Sequence, residues 1–156
     1  MSQIDVADID IAALRTQFLG HEFDAKAFEI EAEEIIVFAR ACGEQAPRYL
    51  DAEHPDFQAP PTFTSSLMTN RQMPEAFPSI DGLTLNAGKS LELLKPVRPG
   101  RVTGRSQLHD LYEKTGRSGR MVFIVSRMAL YDDDDTLLAL SDSRQVIREK
   151  PRRAEP

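Results

Sequence analysis

From Phe57 to Asn70 the chain carries no charged residue, although 28% of all its residues are charged. The stretch contains the double proline Pro60-Pro61, followed by Thr62-Phe63-Thr64-Ser65-Ser66-Leu67-Met68-Thr69-Asn70. Proline is tolerated in the first turn of a helix, so the order predicts a helix over 62–70. A helix without charge on any side is one that neighbouring elements surround. Something broad must wrap it, and a sheet is the simplest wrapper.

The rest of the pattern supplies that sheet. Ile11, Leu14 and Phe18 share one face of a short helix within 9–19, which Gly20 stops. Residues 27–30 read as a short strand. A second helix spans 31–42, with Ile35, Phe38, Ala39 and Cys42 at i, i+3, i+4 and i+7 and acidic Glu31, Glu33 and Glu34 at its positive end. Gly43 ends it. Residues 43–61 form an irregular loop broken by prolines. Leu83, Leu85, Ala87, Leu91 and Leu93 alternate along a strand with a bulge at Gly88. Residues 96–100 are a turn, 101–113 a strand and 116–119 a hairpin loop. Residues 121–130 are apolar on both faces, as in a central strand. An acidic turn at 132–135 leads into a last strand, 137–147. The expected architecture is α+β, a curved antiparallel sheet wrapped around a central helix. Residues 1–148 are expected to form one domain, and 149–156 a charged, disordered tail.

Bulk properties exclude several classes of function. Net charge is −6, with thirteen Asp/Glu against four Lys/Arg in residues 1–60, which argues against general nucleic-acid binding. Seven basic side chains nevertheless cluster within 95–120, enough to meet a small phosphorylated ligand or simply to solvate strand faces. No apolar run approaches the roughly 20 residues that span a bilayer. Cys42 stands alone and Met1-Ser2-Gln3-Ile4-Asp5 is acidic where a secretory signal is basic, so a cytoplasmic protein without disulfides is expected. His21 and His109 are isolated, and no His/Cys/Asp spacing predicts a metal site.

Several stretches carry a resemblance. Phe38-Ala39-Arg40-Ala41-Cys42-Gly43-Glu44, then Pro47, Tyr49 and Asp51, then Ala59-Pro60-Pro61-Thr62-Phe63, resemble the N-terminal domain of MaoC-like dehydratases. Leu85-Asn86-Ala87-Gly88-Lys89, Val97-Arg98-Pro99-Gly100 and Tyr112-Glu113-Lys114-Thr115-Gly116-Arg117-Ser118-Gly119 are similar to the strands and turns of the same domain. The likeness covers residues 20–148. It implies a hot-dog fold that pairs into a double hot dog, and dehydration of (R)-3-hydroxyacyl thioesters or the reverse hydration. It implies no cofactor beyond the coenzyme A or carrier protein that bears the substrate. That reaction needs an acid/base pair straddling the α–β bond and donors for the thioester oxyanion.

Catalytic members of that family place the pair in a D-x-N-P-x-H loop. The matching stretch here is Glu44-Gln45-Ala46-Pro47-Arg48-Tyr49, with Glu for Asp, Ala for Asn and Tyr for His. A phenol titrates near ~10, about three units above imidazole, and a carboxylate misplaced by about 1 Å can cost on the order of 100-fold. No catalytic residue is therefore expected in this chain. Glu44 and Tyr49 read as loop-shape residues or as a variant pair, and His54 as a surface residue that could supply an imidazole. Cys42 reads as buried filler rather than nucleophile. Pro61, Thr62 and Phe63 are candidates for an acyl channel, with core packing the alternative. Lys89, Arg98, Arg117 and Arg120 are candidates for contacts to phosphates of a pantetheine-bearing ligand, with solvation the alternative.

The leading expectation is a non-catalytic, substrate-holding subunit that forms a heterodimer with a catalytic MaoC-like hot-dog partner. A self-sufficient homodimeric enoyl-CoA hydratase using Glu44 with Tyr49 or His54, a hot-dog acyl-CoA thioesterase using Glu44, and a non-enzymatic acyl-binding protein are the alternatives. The acyl group stays open among short branched acids, fatty chains and steroid side chains.

Overall fold

The computed structural model describes residues 3–117 and 119–150. In chain order the elements are β1 (Ile4–Asp5), a 3-10 turn (Val6–Asp8), α1 (Ile11–Phe18), β2 (Glu22–Ile30), α2 (Ala32–Ala41), α3 (Pro47–Leu50) and a 3-10 segment (Pro61–Ser66). Then follow β3 (Ile80–Asp81), β4 (Leu83–Leu93), β5 (Gly100–Gly116), β6 (Gly119–Asp132) and β7 (Leu137–Arg148). Five strands form an antiparallel sheet in the order β2-β5-β6-β7-β4, while β1 and β3 make a small parallel ribbon. The sheet edges are thus β2 and β4. The bulge expected at Gly88 is present: the β4–β7 register shifts between Asn86 and Lys89, and Gly88 adopts φ +106°.

Both longer helices begin and end where local chemistry dictates. Asp10 accepts from the Ala13 N–H at the start of α1, 3.0 Å away. At the start of α2, Glu34 reaches back to the Glu31 N–H at 2.9 Å. Gly43, at φ +77°, closes α2: its N–H meets Arg40 O and the Glu44 N–H meets Ala39 O, the doubly bonded glycine cap. α2 buries Ile35 and Ala39 completely against Val102 of β5, Leu130 of β6 and Ala139 of β7. A fully buried Ile is worth about 1.5–3 kcal/mol, so this face alone fixes the helix on the sheet. Cys42, expected inside, is exposed. It is the residue that caps α2, one step past the last turn that the sheet covers.

The helix expected over 62–70 does not form. Pro61–Ser66 is a 3-10 segment, and residues 67–69 continue without helix. The cause is local competition for backbone carbonyls. Ser65 Oγ donates to Thr62 O and Ser66 Oγ to Phe63 O, each at 2.7 Å, while Lys89 Nζ takes Ser65 O at 3.0 Å. The absence of charge reflects a different burial from the one expected. Phe63, Thr64 and Thr69 are buried on the inner face of the sheet, whereas Pro61, Thr62, Ser66, Met68 and Asn70 are exposed. The sheet therefore lies under α2 and an irregular strap, not under one long helix.

Two separate apolar clusters result. One joins Ile30, Ile35, Phe57, Phe63, Val102, Leu130 and Ala139 under α2. The other joins Val6, Ile9, Phe18, Leu108, Leu111, Val122, Ile124 and Ile147 under α1 and the N-terminal segment. Glu149 and Lys150 are tied to the fold, Glu149 accepting from the Arg120 N–H and Lys150 pairing with Asp81. The rest of the expected tail, 151–156, lies outside the described residues.

Candidate functional site

α2, the end of β2 and the 61–67 segment enclose an apolar groove of about 530 Å³. Phe28, Ile30, Phe38, Phe63 and Leu67 line it, with Glu29 and Glu34 also on its wall. Phe63 meets Phe38 edge to face, with ring centroids 5.4 Å apart and planes at 86°. Of the three residues expected to line a channel, Phe63 lines this groove; Pro61 and Thr62 are exposed and lie outside it. Phe28 and Phe38 share the groove wall without having been singled out from the sequence for it. Phe38's place on the packed face of α2 was legible in the helical spacing, but what shared that face was not.

Across the β2–β5 pair from this groove lies a second cleft of about 320 Å³, lined by Lys95, Arg98, Arg101 and Asp132. The strand register places groove and cleft side by side, because Ile30 faces Gly100 and Glu29 faces Arg101. Lys95 and Arg101 add to a basic lining of which sequence reading named only Arg98. Their signal is the Pro96-Val97-Arg98-Pro99-Gly100 turn between them.

The other basic candidates do not converge. Arg98 donates to Phe57 O and to Asp56, both at 2.9 Å, and so staples the turn before β5 to the loop before the double proline. Lys89 holds Ser65 O near the β4 edge. Arg120 donates to Val6 O at 3.1 Å, Ala7 O at 2.9 Å and Ile9 O at 2.7 Å and pairs with Glu113, which gives it the task of holding the N-terminal segment. Arg117 is exposed at the β5–β6 turn, at the far end of a seventeen-residue strand from Arg98.

In the loop that resembles the family's catalytic stretch, Glu44, Tyr49 and His54 each make separate local contacts. Glu44 is the residue whose N–H completes the α2 cap. Tyr49, in α3, is buried at 8% exposure, with the Arg48 guanidinium 5.0 Å from its ring. His54 Nδ1 accepts from the Asp56 N–H at 3.1 Å and closes a turn. No hydrogen bond links Glu44, Tyr49 and His54 to one another among the described residues. Among those residues there is also no grouping of His, Cys, Asp and Glu fit for a metal ion, and no helix long and apolar enough to cross a membrane.

A five-stranded antiparallel sheet with a helix docked on its inner face is the hot-dog arrangement, and solved structures of MaoC-like dehydratases share that fold. A MaoC-like dehydratase from Rhodospirillum rubrum superposes with a TM-score of 0.62 at 19% identity, over 88% of this chain and 97% of that one. The HadBC (3R-hydroxyacyl-ACP dehydratase) complex from Mycobacterium tuberculosis contains a chain that matches with a TM-score of 0.62 and 19% identity, over 88% of this chain and 98% of that one. In sequence, a UPF0336 protein of Streptomyces griseus is 29% identical over 150 residues, covering 87% of this chain and 96% of its own. Residues 17–140 match the profile of the FAS1-like dehydratase domain region, and the chain belongs to that family.

Proposed function

We propose that this chain is the substrate-holding, non-catalytic subunit of a two-chain hydro-lyase that hydrates enoyl thioesters or dehydrates (R)-3-hydroxyacyl thioesters. The observation that carries the reading is the position of Tyr49. Where the family's catalytic loop has an imidazole, this chain has Tyr49, a residue only 8% exposed with the Arg48 guanidinium 5.0 Å from its ring, beside a Glu44 whose backbone caps a helix. No hydrogen bond joins Tyr49 to Glu44 or His54 among the described residues, so the loop offers no coupled pair to straddle the α–β bond. The apolar groove at Phe63 suits the acyl part of a thioester, and Lys95 and Arg101 in the adjoining cleft suit its phosphates.

The edges of the sheet support a second subunit. β2 carries charged residues along its length, including Glu22, Lys26 and Glu29, a common way of discouraging edge pairing. β4 is long and carries exposed Leu83 and Leu85 instead, with Leu94 exposed just beyond it. A hot-dog partner joined along β4 would cover them, and HadBC, by its name, is an assembly of this fold with two kinds of subunit.

The test is direct. The purified chain is assayed for hydration of crotonyl thioesters alone and after co-expression with a hot-dog subunit that carries an intact Asp/His loop. Negligible turnover alone and turnover in the complex are expected, with Glu44→Gln leaving the complex within about twofold of its rate, against the 100-fold or more that loss of a general base brings. Ordinary turnover by the isolated chain overturns the reading.

A further inference from the structure

The two apolar clusters are separated by a polar belt. Across the inner face, Ser106 of β5 lies opposite Met128 of β6, and Met128 opposite Ser141 of β7. One level along, Ser126 of β6 faces Ser143 of β7, which faces Lys89 of β4. Ser106 and Ser141 are buried at 5% and 6% exposure. Residues 65–72 run over this belt, and polar contacts tie them down. The Thr69 hydroxyl donates to Arg71 O and so receives the Ser106 hydroxyl, 2.7 Å away. Ser126 Oγ donates to Gln72 O at 2.9 Å, the Arg71 N–H donates to Asp24 at 2.7 Å, and Lys26 and Lys89 hold Met68 O and Ser65 O.

Between strap and belt there remains a cavity of about 30 Å³, room for a water or two and for no ligand chain. The middle of the strap buries almost nothing apolar: Met68, Asn70, Arg71 and Gln72 are exposed, and Thr69 is the buried residue. Lifting it exchanges protein hydrogen bonds for water hydrogen bonds, each a small net loss, and wets a face on which Ser106, Ser126, Ser141 and Ser143 outnumber the apolar Phe23 and Met128. The clusters on either side, held by buried Ile, Leu and Phe, stay closed.

We propose that residues 68–72 are a movable cover over a hydroxyl-lined ligand trough, and that the trough takes a linear chain bearing amide or hydroxyl groups, not a long alkyl chain. Burying serine hydroxyls against methylenes leaves their hydrogen bonds unmade, whereas amides or hydroxyls replace the strap's own contacts one for one. Such a chain is either the amide-bearing pantetheine arm of a thioester or a hydroxylated acyl group. This assignment rests on the thioester reading above; the movable cover does not.

The experiment has two arms. In the unmodified protein, amide hydrogen exchange at 68–72 is expected to be faster than along the β5–β6 ladder and to slow when pantetheine or (R)-3-hydroxybutyryl-pantetheine is added. Strap amides as protected as the ladder overturn the cover. In a Cys42→Ser background, Thr69→Cys with Ser106→Cys pins the strap when oxidised. Calorimetry is expected to show binding in the reduced form and affinity weaker by about tenfold or more in the oxidised form. Slowing by free pantetheine identifies the carrier arm, and slowing by the hydroxyacyl form alone identifies the acyl group. Equal binding by pinned and unpinned protein, or no binding of any of these probes, overturns the trough. Failure of hydration in the two-chain assay would instead overturn the subunit reading and leave a trough that binds these probes standing.

Discussion

Phe38 and Phe63 stand edge to face, 5.4 Å between centroids, and this single pair fastens α2 to the segment that replaces the expected long helix. Phe63 is 5% exposed and belongs to the cluster under α2. Phe63→Ala is expected to cost about 3–5 kcal/mol, while Thr62→Ala, at the exposed neighbour, stays within about 0.5 kcal/mol. Urea midpoints of the two variants check the difference.

Arg120 organises the other end of the molecule. Its guanidinium satisfies three carbonyls of the N-terminal segment that would otherwise lie against the protein without donors. Arg120→Met is expected to destabilise by about 2–3 kcal/mol, whereas Arg117→Met, at an exposed turn position, changes stability by less than about 0.5 kcal/mol. Limited proteolysis is the second readout: cleavage near residues 3–9 should accelerate only in the Arg120 variant.

Association with a second subunit is expected to run through β4. Leu85 is 42% exposed on that edge strand. Leu85→Lys should leave the urea midpoint nearly unchanged yet weaken pairing by about tenfold or more, because a charge would have to be desolvated in the joint. Ala27→Lys on the β2 edge should have no such effect. Sedimentation of mixed subunits distinguishes the two edges, and a partner lost from the Ala27 variant instead would move the interface to β2.

Asp132 contributes to acid stability with a known sign. The Thr136 N–H at 2.8 Å and the Asp134 N–H at 2.9 Å donate to Asp132 Oδ1 and hold its carboxyl below the usual aspartate value. A depressed folded-state value means that the contribution is present at neutral pH and is lost as pH falls below about 4, through the folded value. Thermal melts of Asp132→Asn against the unmodified chain should therefore differ at pH 7 and converge as the carboxyl of Asp132 is protonated in acid. A constant difference across that range would contradict the assignment.

Much of the fold was legible residue by residue. The i, i+3, i+4 spacing of Ile35, Phe38 and Ala39 gave α2 and its buried face, alternation gave β4, and Gly88 gave its bulge, because each depends on neighbours in the chain. Residues 62–70 were misread for an equally physical reason. Lack of charge says that a segment meets protein, not which conformation it meets it in, and here Lys89, twenty-four residues later in the chain, takes a carbonyl that a helix would have kept. The functional residues divide in the same way. The replacements at Glu44 and Tyr49 were visible in the sequence, but that Arg98 and Arg120 are bound up in backbone contacts was not.

By itself, the sequence determined the helix faces, the strand alternation, the bulge and the change of residue types in the catalytic loop, all set within a few residues of chain. The tertiary structure alone decided what covers the sheet, which groove Phe63 faces, where Tyr49 is buried and how serines from β5, β6 and β7 line up into one belt. Those features depend on register and on hydrogen bonds between residues far apart in the chain, and no local periodicity encodes them.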